Sequence, residues 1–295
     1  SAQRRCWSAE QIAGESGIYS IPLVLYLRGS LDRDALAQSL TAIVERHHVL
    51  RSTLHMVDGR AVQRVGQPRR VPVPLVALSA LGEVEQRTAL HELVNAEAAR
   101  SFDLSQDLMI RARLLRLHAT EHVLLLTVHH VAADAWSLEV LVEELTTLYT
   151  VARTQGEAAL VRHLPALPVQ YTDYAAWEQE RLTQGEAERQ LAYWTSQLDG
   201  VSALPLVPEH ARPPTASHAG AEVEHVLPAS VHDAVEAIAR EAGTTRFVVV
   251  LAGFAALLAR YSGAEDIAIG TPVAGRNHPD LEGLIGCFVN TLVIG

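Results

Sequence analysis

Residues 122–128 form a nearly unbroken apolar run of strand length that stops abruptly at His129-His130. Residues 131–134 then read as a turn, and from about Ser137 the side chains Leu138, Leu141, Val142, Leu145, Leu148 and Tyr149 recur on one face of a helix. A strand that hands over to an amphipathic helix through a short turn commits the chain to a mixed fold. It also displays the turn's side chains at one end of a sheet, where a rigid scaffold positions chemistry. Further strands are predicted at 21–27, 51–57, 61–65 and 109–117. Helices are predicted around Leu36, Leu40, Ile43 and Val44, and around Leu90, Leu93 and Val94 ahead of Phe102.

The second half is organised differently. Residues 158–168 read as loop, and 171–198 as a charged helix anchored by Trp177 and Trp194. The stretch 200–220, with Pro205, Pro208, Pro213 and Pro214, is the best linker candidate. Beyond it the pattern predicts a strand at 222–227, a helix at 230–241, a buried helix at 247–261, a strand at 267–270 and a final strand entered at Leu292.

Composition narrows the function. The chain has 295 residues, 48% of them apolar, enough for one large domain or two ordinary ones. Thirty-four acidic against 24 basic residues give a net charge of −10, and no basic stripe offsets it, so a nucleic-acid partner is not expected. The longest apolar run, 247–259, is too short to span a bilayer, so no membrane partner is expected. Cys6 and Cys287 are far apart and carry no metal-ligand spacing. A disulfide framework and a zinc finger are therefore unsupported, and a reducing, cytoplasmic location fits best.

The candidate chemistry lies in the turn. Adjacent residues at a strand end point one imidazole toward the core and the other toward the space the turn opens. Asp134 supplies a carboxylate that can hold the loop through an arginine or fix an imidazole tautomer. Ser137 is placed to cap the helix, with Glu139 complementing its dipole. His130 and Asp134 would share a face in a helical turn, but no third ligand stands at a recognisable spacing, so no metal is expected. No Gly-x-Ser-x-Gly pattern makes Ser137 a nucleophile.

His129-His130-x-x-x-Asp134 followed by Trp136-Ser137 resembles the active-site motif of condensation domains of nonribosomal peptide synthetases, within the chloramphenicol acetyltransferase-like superfamily. Ser1-Ala-Gln-Arg-Arg-Cys-Trp7 resembles that family's first motif, and Arg46-His-His-Val-Leu-Arg51 its second. Tyr171-Thr-Asp-Tyr-Ala-Ala-Trp177 is similar to the fourth and Ile285-Gly-Cys-Phe-Val-Asn290-Thr291 to the fifth. The motifs follow the family's order and cover the whole chain.

The resemblance implies an α/β fold, an α+β sandwich arranged as a pseudo-dimer of two chloramphenicol acetyltransferase-like lobes. The first lobe would be 1–176, and 177–295 would be a linker helix and a partial second lobe. The family's last motifs find no match, so the chain reads as C-terminally truncated. The implied activity is acyl transfer forming an amide between a donor acyl or peptidyl thioester and the α-amine of an acceptor aminoacyl thioester. No cofactor would be bound by the chain itself, because substrates arrive on phosphopantetheine arms. The implied partners are donor and acceptor peptidyl carrier proteins and a neighbouring adenylation domain. By motif position His130 would be catalytic, with His129 bracing it and Ala135, Trp136 and Ser137 supporting the site. Asp134 would be structural, ion-paired with Arg276 or alternatively Arg46, and Arg51 is a further structural cation. Tyr171, Asp173, Trp177 and Asn290 would lie at the lobe interface. The family commonly has glycine where Ala135 stands, and a left-handed torsion there would strain alanine by about 1 kcal/mol. The alternatives are a noncatalytic docking module and a coenzyme A-dependent acyltransferase of the same superfamily.

Overall fold

The computed structural model describes residues 2–13, 17–205, 220, 221 and 223–294. They form two compact units, Ser1–Glu186 with Ala274–Asn290, and Ala187–Val273 with Thr291–Gly295. The first unit thus runs past residue 176 and takes in the stretch that carries Arg276 and Cys287.

In the first unit β1 (Ser20–Arg28), β6 (Glu121–His129), β5 (Ile110–His118) and β4 (Leu75–Ala77) form one sheet in that order. β6 is antiparallel to both its neighbours, and β4 pairs parallel to β5. Alternation along β6 explains its composition. Leu124, Leu126 and Val128 enter a large core shared with α2 (Arg33–Arg46) and α4 (Ala135–Gln155). Val123 and Leu125 enter a smaller core with Leu90, Leu93 and Val94 of α3 (Glu83–Ala99). A strand covered on both faces has to be apolar at every position, which is why 122–128 reads as a run. α2 starts where Asp32 accepts hydrogen bonds from the Asp34 and Ala35 N–H groups, both at 3.0 Å. β2 (Ser52–Val57) and β3 (Arg60–Val65) form a separate hairpin.

Several elements depart from expectation. α1 (Ala2–Ala13) is too polar overall, and β4 too short, to stand out in the apolar pattern. Arg51 belongs to a 3-10 turn, His48–Arg51, and not to a strand. The stretch 158–168 begins inside a 3-10 helix, Glu157–Arg162. The charged stretch 171–198 is two helices. α5 (Tyr171–Arg181) passes into a π-turn, Leu182–Glu186, where Gly185 takes φ 94° and breaks the rod, and α6 (Ala187–Gln197) follows.

The second unit contains α6, α7 (Ala229–Glu241), α8 (Arg246–Ser262), and β7 (Ile269–Val273) paired with β8 (Asn290–Ile294). Most of the linker candidate, with Pro208, Pro213 and Pro214, lies outside the described residues. Residues 223–227 are not a strand. Val223 and Val226 are more than nine-tenths exposed, and no described strand pairs with them. α8 is a helix, capped by Thr245, but it is not buried: Phe247, Val250 and Leu257 are about half exposed. Hydropathy predicts the helix and says nothing about what covers it. Among the described residues no single helix is long and apolar enough to cross a membrane.

Candidate active site

The two imidazoles at the end of β6 have opposite surroundings. His129 is buried against the Phe102 ring, 5.4 Å between centroids. Its Nδ1 accepts the Val131 N–H at 3.1 Å, so its proton sits on Nε2. That Nε2 lies 3.0 Å from Glu10 Oε2 of α1, without the alignment of a hydrogen bond. α1 also anchors the turn itself, through Gln3 Nε2 donating to the Val131 carbonyl at 2.9 Å. His130 is half-buried. Its backbone N–H donates to the Tyr19 carbonyl at 2.8 Å, and its Nδ1 stands 3.7 Å from Cys287 Sγ. Among the described residues its Nε2 makes no hydrogen bond.

Asp134 closes the turn. Its Oδ1 accepts from the Ser137 N–H at 3.0 Å, from Ser137 Oγ at 2.7 Å and from Arg276 Nη2 at 3.0 Å, and its Oδ2 accepts from the Phe288 N–H at 2.9 Å. Asp134, and not Ser137, is therefore the cap of α4, and the helix begins at Ala135 with no acidic residue in its first turn, so Glu139 lies beyond it. Ala135 is right-handed, so the strain envisaged for alanine there does not arise. Ser137 instead bridges segments: its Oγ accepts from the Gly286 N–H at 3.0 Å and from Arg276 Nη2 at 2.9 Å.

Arg276 has a buried side chain. Its Nη1 donates to the carbonyls of Leu281 and Leu284 at 2.6 and 2.9 Å, and its guanidinium carbon lies 4.0 Å from the centroid of the Phe288 ring. Burial lowers its pKa, and the Asp134 charge works against that. Trp136 is part-exposed and pinned by Nε1 donating to the Glu282 carbonyl at 2.9 Å.

Arg46 does not reach Asp134. Its Nε pairs with Glu144 Oε1 of α4 at 2.8 Å. His47 accepts the Ile285 N–H on Nδ1 at 3.3 Å, which leaves Nε2 to donate to Glu144 Oε2 at 2.9 Å. His47 of the second His-His pair thus braces the same 274–290 stretch that Asp134 holds. Arg51 donates to the Gly66 carbonyl, away from the turn.

Tyr171 is buried, donates Oη to the Cys287 carbonyl at 2.8 Å and sets its ring edge-on to Phe288, 5.0 Å between centroids. Burial pushes its pKa up. Asp173 accepts the Gln170 N–H at 2.8 Å and so stabilises the start of α5. Trp177 is half exposed under Arg181, and Asn290 is exposed at the start of β8. A side chain at Gly286 would run into the Tyr171 and Phe288 rings. Gly286→Ala is expected to destabilise the first unit by about 1–3 kcal/mol in urea unfolding, and a neutral result would show that the rings can move aside.

Sequence spacing gave no reason to join the two cysteines, but the fold brings both to His130. The neighbouring Cys287 thiol, aided by His130 and Arg5 and opposed by burial, lowers the Cys6 thiol to about 7, while the neighbouring Cys6 and burial push Cys287 up. Glu10, His47, Glu144 and Cys6 are the participants that sequence reasoning missed. Glu10 and Cys6 share a face of α1, a helix that the apolar pattern does not predict.

A profile described as Condensation domain matches residues 1–295. The chain is 40% identical over 294 residues to malpibaldin synthetase of Mortierella alpina, covering 99% of this chain and 5% of that protein. It is also 40% identical over 293 residues to phosphinothricin tripeptide synthetase PhsB of Streptomyces viridochromogenes, covering 99% of this chain and 24% of that one. It therefore spans only a small part of these relatives. The X-domain from teicoplanin biosynthesis matches with a TM-score of 0.82 at 30% identity, covering 99% of this chain and 63% of that chain. The first condensation domain of the CDA synthetase matches with a TM-score of 0.80 at 22% identity over 100% of this chain and 69% of that one, a likeness of fold alone. The mixed architecture is thus the chloramphenicol acetyltransferase-like one. With the family profile matching from end to end around a histidine pair whose loop is tied down by Asp134, the chain belongs to the condensation domain family.

Proposed function

We propose that this chain forms amide bonds between a donor acyl or peptidyl thioester and the α-amine of an acceptor aminoacyl thioester. Both substrates are carried on phosphopantetheine arms of donor and acceptor peptidyl carrier proteins, and an adenylation domain supplies the acceptor. The observation that carries this reading is the division of labour in the turn. His129 and Asp134 are buried and committed to structure, while His130 keeps Nε2 free of any described partner.

The acceptor nitrogen attacks the thioester carbon, a C–N bond forms, and the C–S bond breaks to release the donor arm's thiol. An α-amine has a pKa of roughly 7.7–8.0, so baring its lone pair near neutrality costs only about 1 kcal/mol. The larger need arises as the tetrahedral intermediate forms and the nitrogen becomes acidic. An imidazole that takes that proton and passes it to the departing sulfur contributes about 10²- to 10⁴-fold. Orientation of the amine by the same ring adds up to about 7 kcal/mol. A side chain on a turn tied down through Asp134 can serve both ends.

The test mixes the full-length protein with donor- and acceptor-loaded carrier proteins and reads the acceptor carrier by mass spectrometry. The donor acyl group is expected on the acceptor amine. Stable carrier binding with no product would indicate a docking module instead, and acyl transfer from coenzyme A without any carrier would indicate the other acyltransferase class.

A further inference from the structure

We propose that Cys6, His130 and Cys287 form a binding site for a thiophilic divalent cation, of which zinc is the natural representative. The three residues come from α1, from the turn after β6 and from the stretch before β8. The two Sγ atoms and an imidazole nitrogen all lie within 4.8 Å of one another, and His130 Nδ1 is 3.7 Å from Cys287 Sγ. A tetrahedral zinc ion with Zn–S of about 2.3 Å and Zn–N of about 2.0–2.1 Å holds its ligand atoms roughly 3.5–3.8 Å apart. The cluster therefore closes onto an ion with shifts below about 1 Å.

Two thiolates and an imidazole are soft and borderline donors, which select zinc over magnesium or calcium. Such a three-ligand set leaves the fourth position open to water or a substrate atom. Glu10, the carboxylate nearest on α1, is turned to His129 and stays outside the set. Cys287 is buried, while Cys6 and His130 are only part-buried and give the ion its way in.

Binding has a consequence that rests on the catalytic role proposed for His130. A metal on Nδ1 leaves Nε2 as an N–H group, a donor only, so the ring can no longer take the amine's proton. Metal occupancy and condensation then exclude each other.

Cobalt(II) is the probe for the site itself. Titration of the reduced 295-residue chain is expected to show one equivalent bound, with thiolate-to-cobalt charge transfer and tetrahedral d–d bands that zinc abolishes. Cys6→Ser and Cys287→Ser are each expected to weaken binding on the order of 100-fold. Undiminished cobalt uptake by either variant would overturn the proposal, because the ion would then sit on other side chains. Should the variants fail to fold, the wild-type chain decides: saturating zinc is expected to slow iodoacetamide alkylation of Cys6 at least about tenfold, and no protection overturns the site. A reduced chain that takes up no metal, but forms a Cys6–Cys287 disulfide with peroxide, also overturns it and makes the pair a redox couple. None of these readouts needs a carrier protein. A chain that binds cobalt and never condenses keeps the site and loses only the inhibitory consequence.

Discussion

Arg276→Ala is expected to cost about 3–5 kcal/mol of unfolding free energy, read from urea denaturation of the whole chain. The reason is what remains behind. Asp134 is 3% exposed, and without the guanidinium its charge is left buried with only neutral donors, the Ser137 hydroxyl and the N–H groups of Ser137 and Phe288. The carbonyls of Leu281 and Leu284 lose their shared donor as well. Asp134→Asn, with Arg276 in place, is itself expected to destabilise. Either its amide group faces the Phe288 N–H, or it faces Arg276 and Ser137, so a donor meets a donor in both orientations. Replacing Asp134 and Arg276 together with apolar residues of similar size is expected to cost less than the sum of the single losses, because no charge is then stranded. An Arg276→Ala protein within about 1 kcal/mol of wild type would remove the claim that this ion pair holds the turn.

The second large effect is kinetic. His130→Ala is expected to lower the condensation rate by about 10²- to 10⁴-fold, while thermal unfolding stays close to wild type. Its ring is part-exposed, and the polar contact it makes among described residues is the one to Cys287, so little structure depends on it. His129→Ala should behave in the opposite way. Removing that ring opens a cavity beside Phe102, leaves the Val131 N–H without its acceptor and strands Glu10, so stability falls and any activity lost follows the loss of folded protein. Comparing rate with unfolding midpoint for the two variants separates the roles. Equal destabilisation by both, or wild-type turnover by His130→Ala, would dissolve the distinction.

The strand, turn and helix around the site are legible in the sequence because each rests on local geometry. The apolar stripe from Leu138 to Tyr149 specifies α4, whereas β6 is covered on both faces, so alternation sends the two imidazoles to opposite sides without saying which one is enclosed. The cap falls three residues earlier than the sequence suggests. Ser137 and Asp134 are both good capping residues, and the choice depends on where the strand releases the chain. Arg276 and Arg46 are both plausible partners for Asp134 by sequence. Packing separates them, because Arg46 at the end of α2 faces Glu144 across the α2–α4 contact. Residues 223–227 of the expected strand stay unpaired and α8 stays unburied for a common reason: apolar sequence states a demand for cover, and only neighbouring elements meet it.

By itself, then, the amino-acid chain determined the order of most elements, the handover from β6 to α4, and that the two imidazoles of the pair point to opposite sides. These follow from the two-residue and 3.6-residue repeats of the backbone, which act over a few neighbours. Which charges pair, and that the thiols of Cys6 and Cys287 meet beside His130, was decided by tertiary structure alone. Those atoms belong to segments remote along the chain. Their distances are the outcome of how α1, the sheet and residues 274–290 pack, and no spacing written in the sequence encodes them.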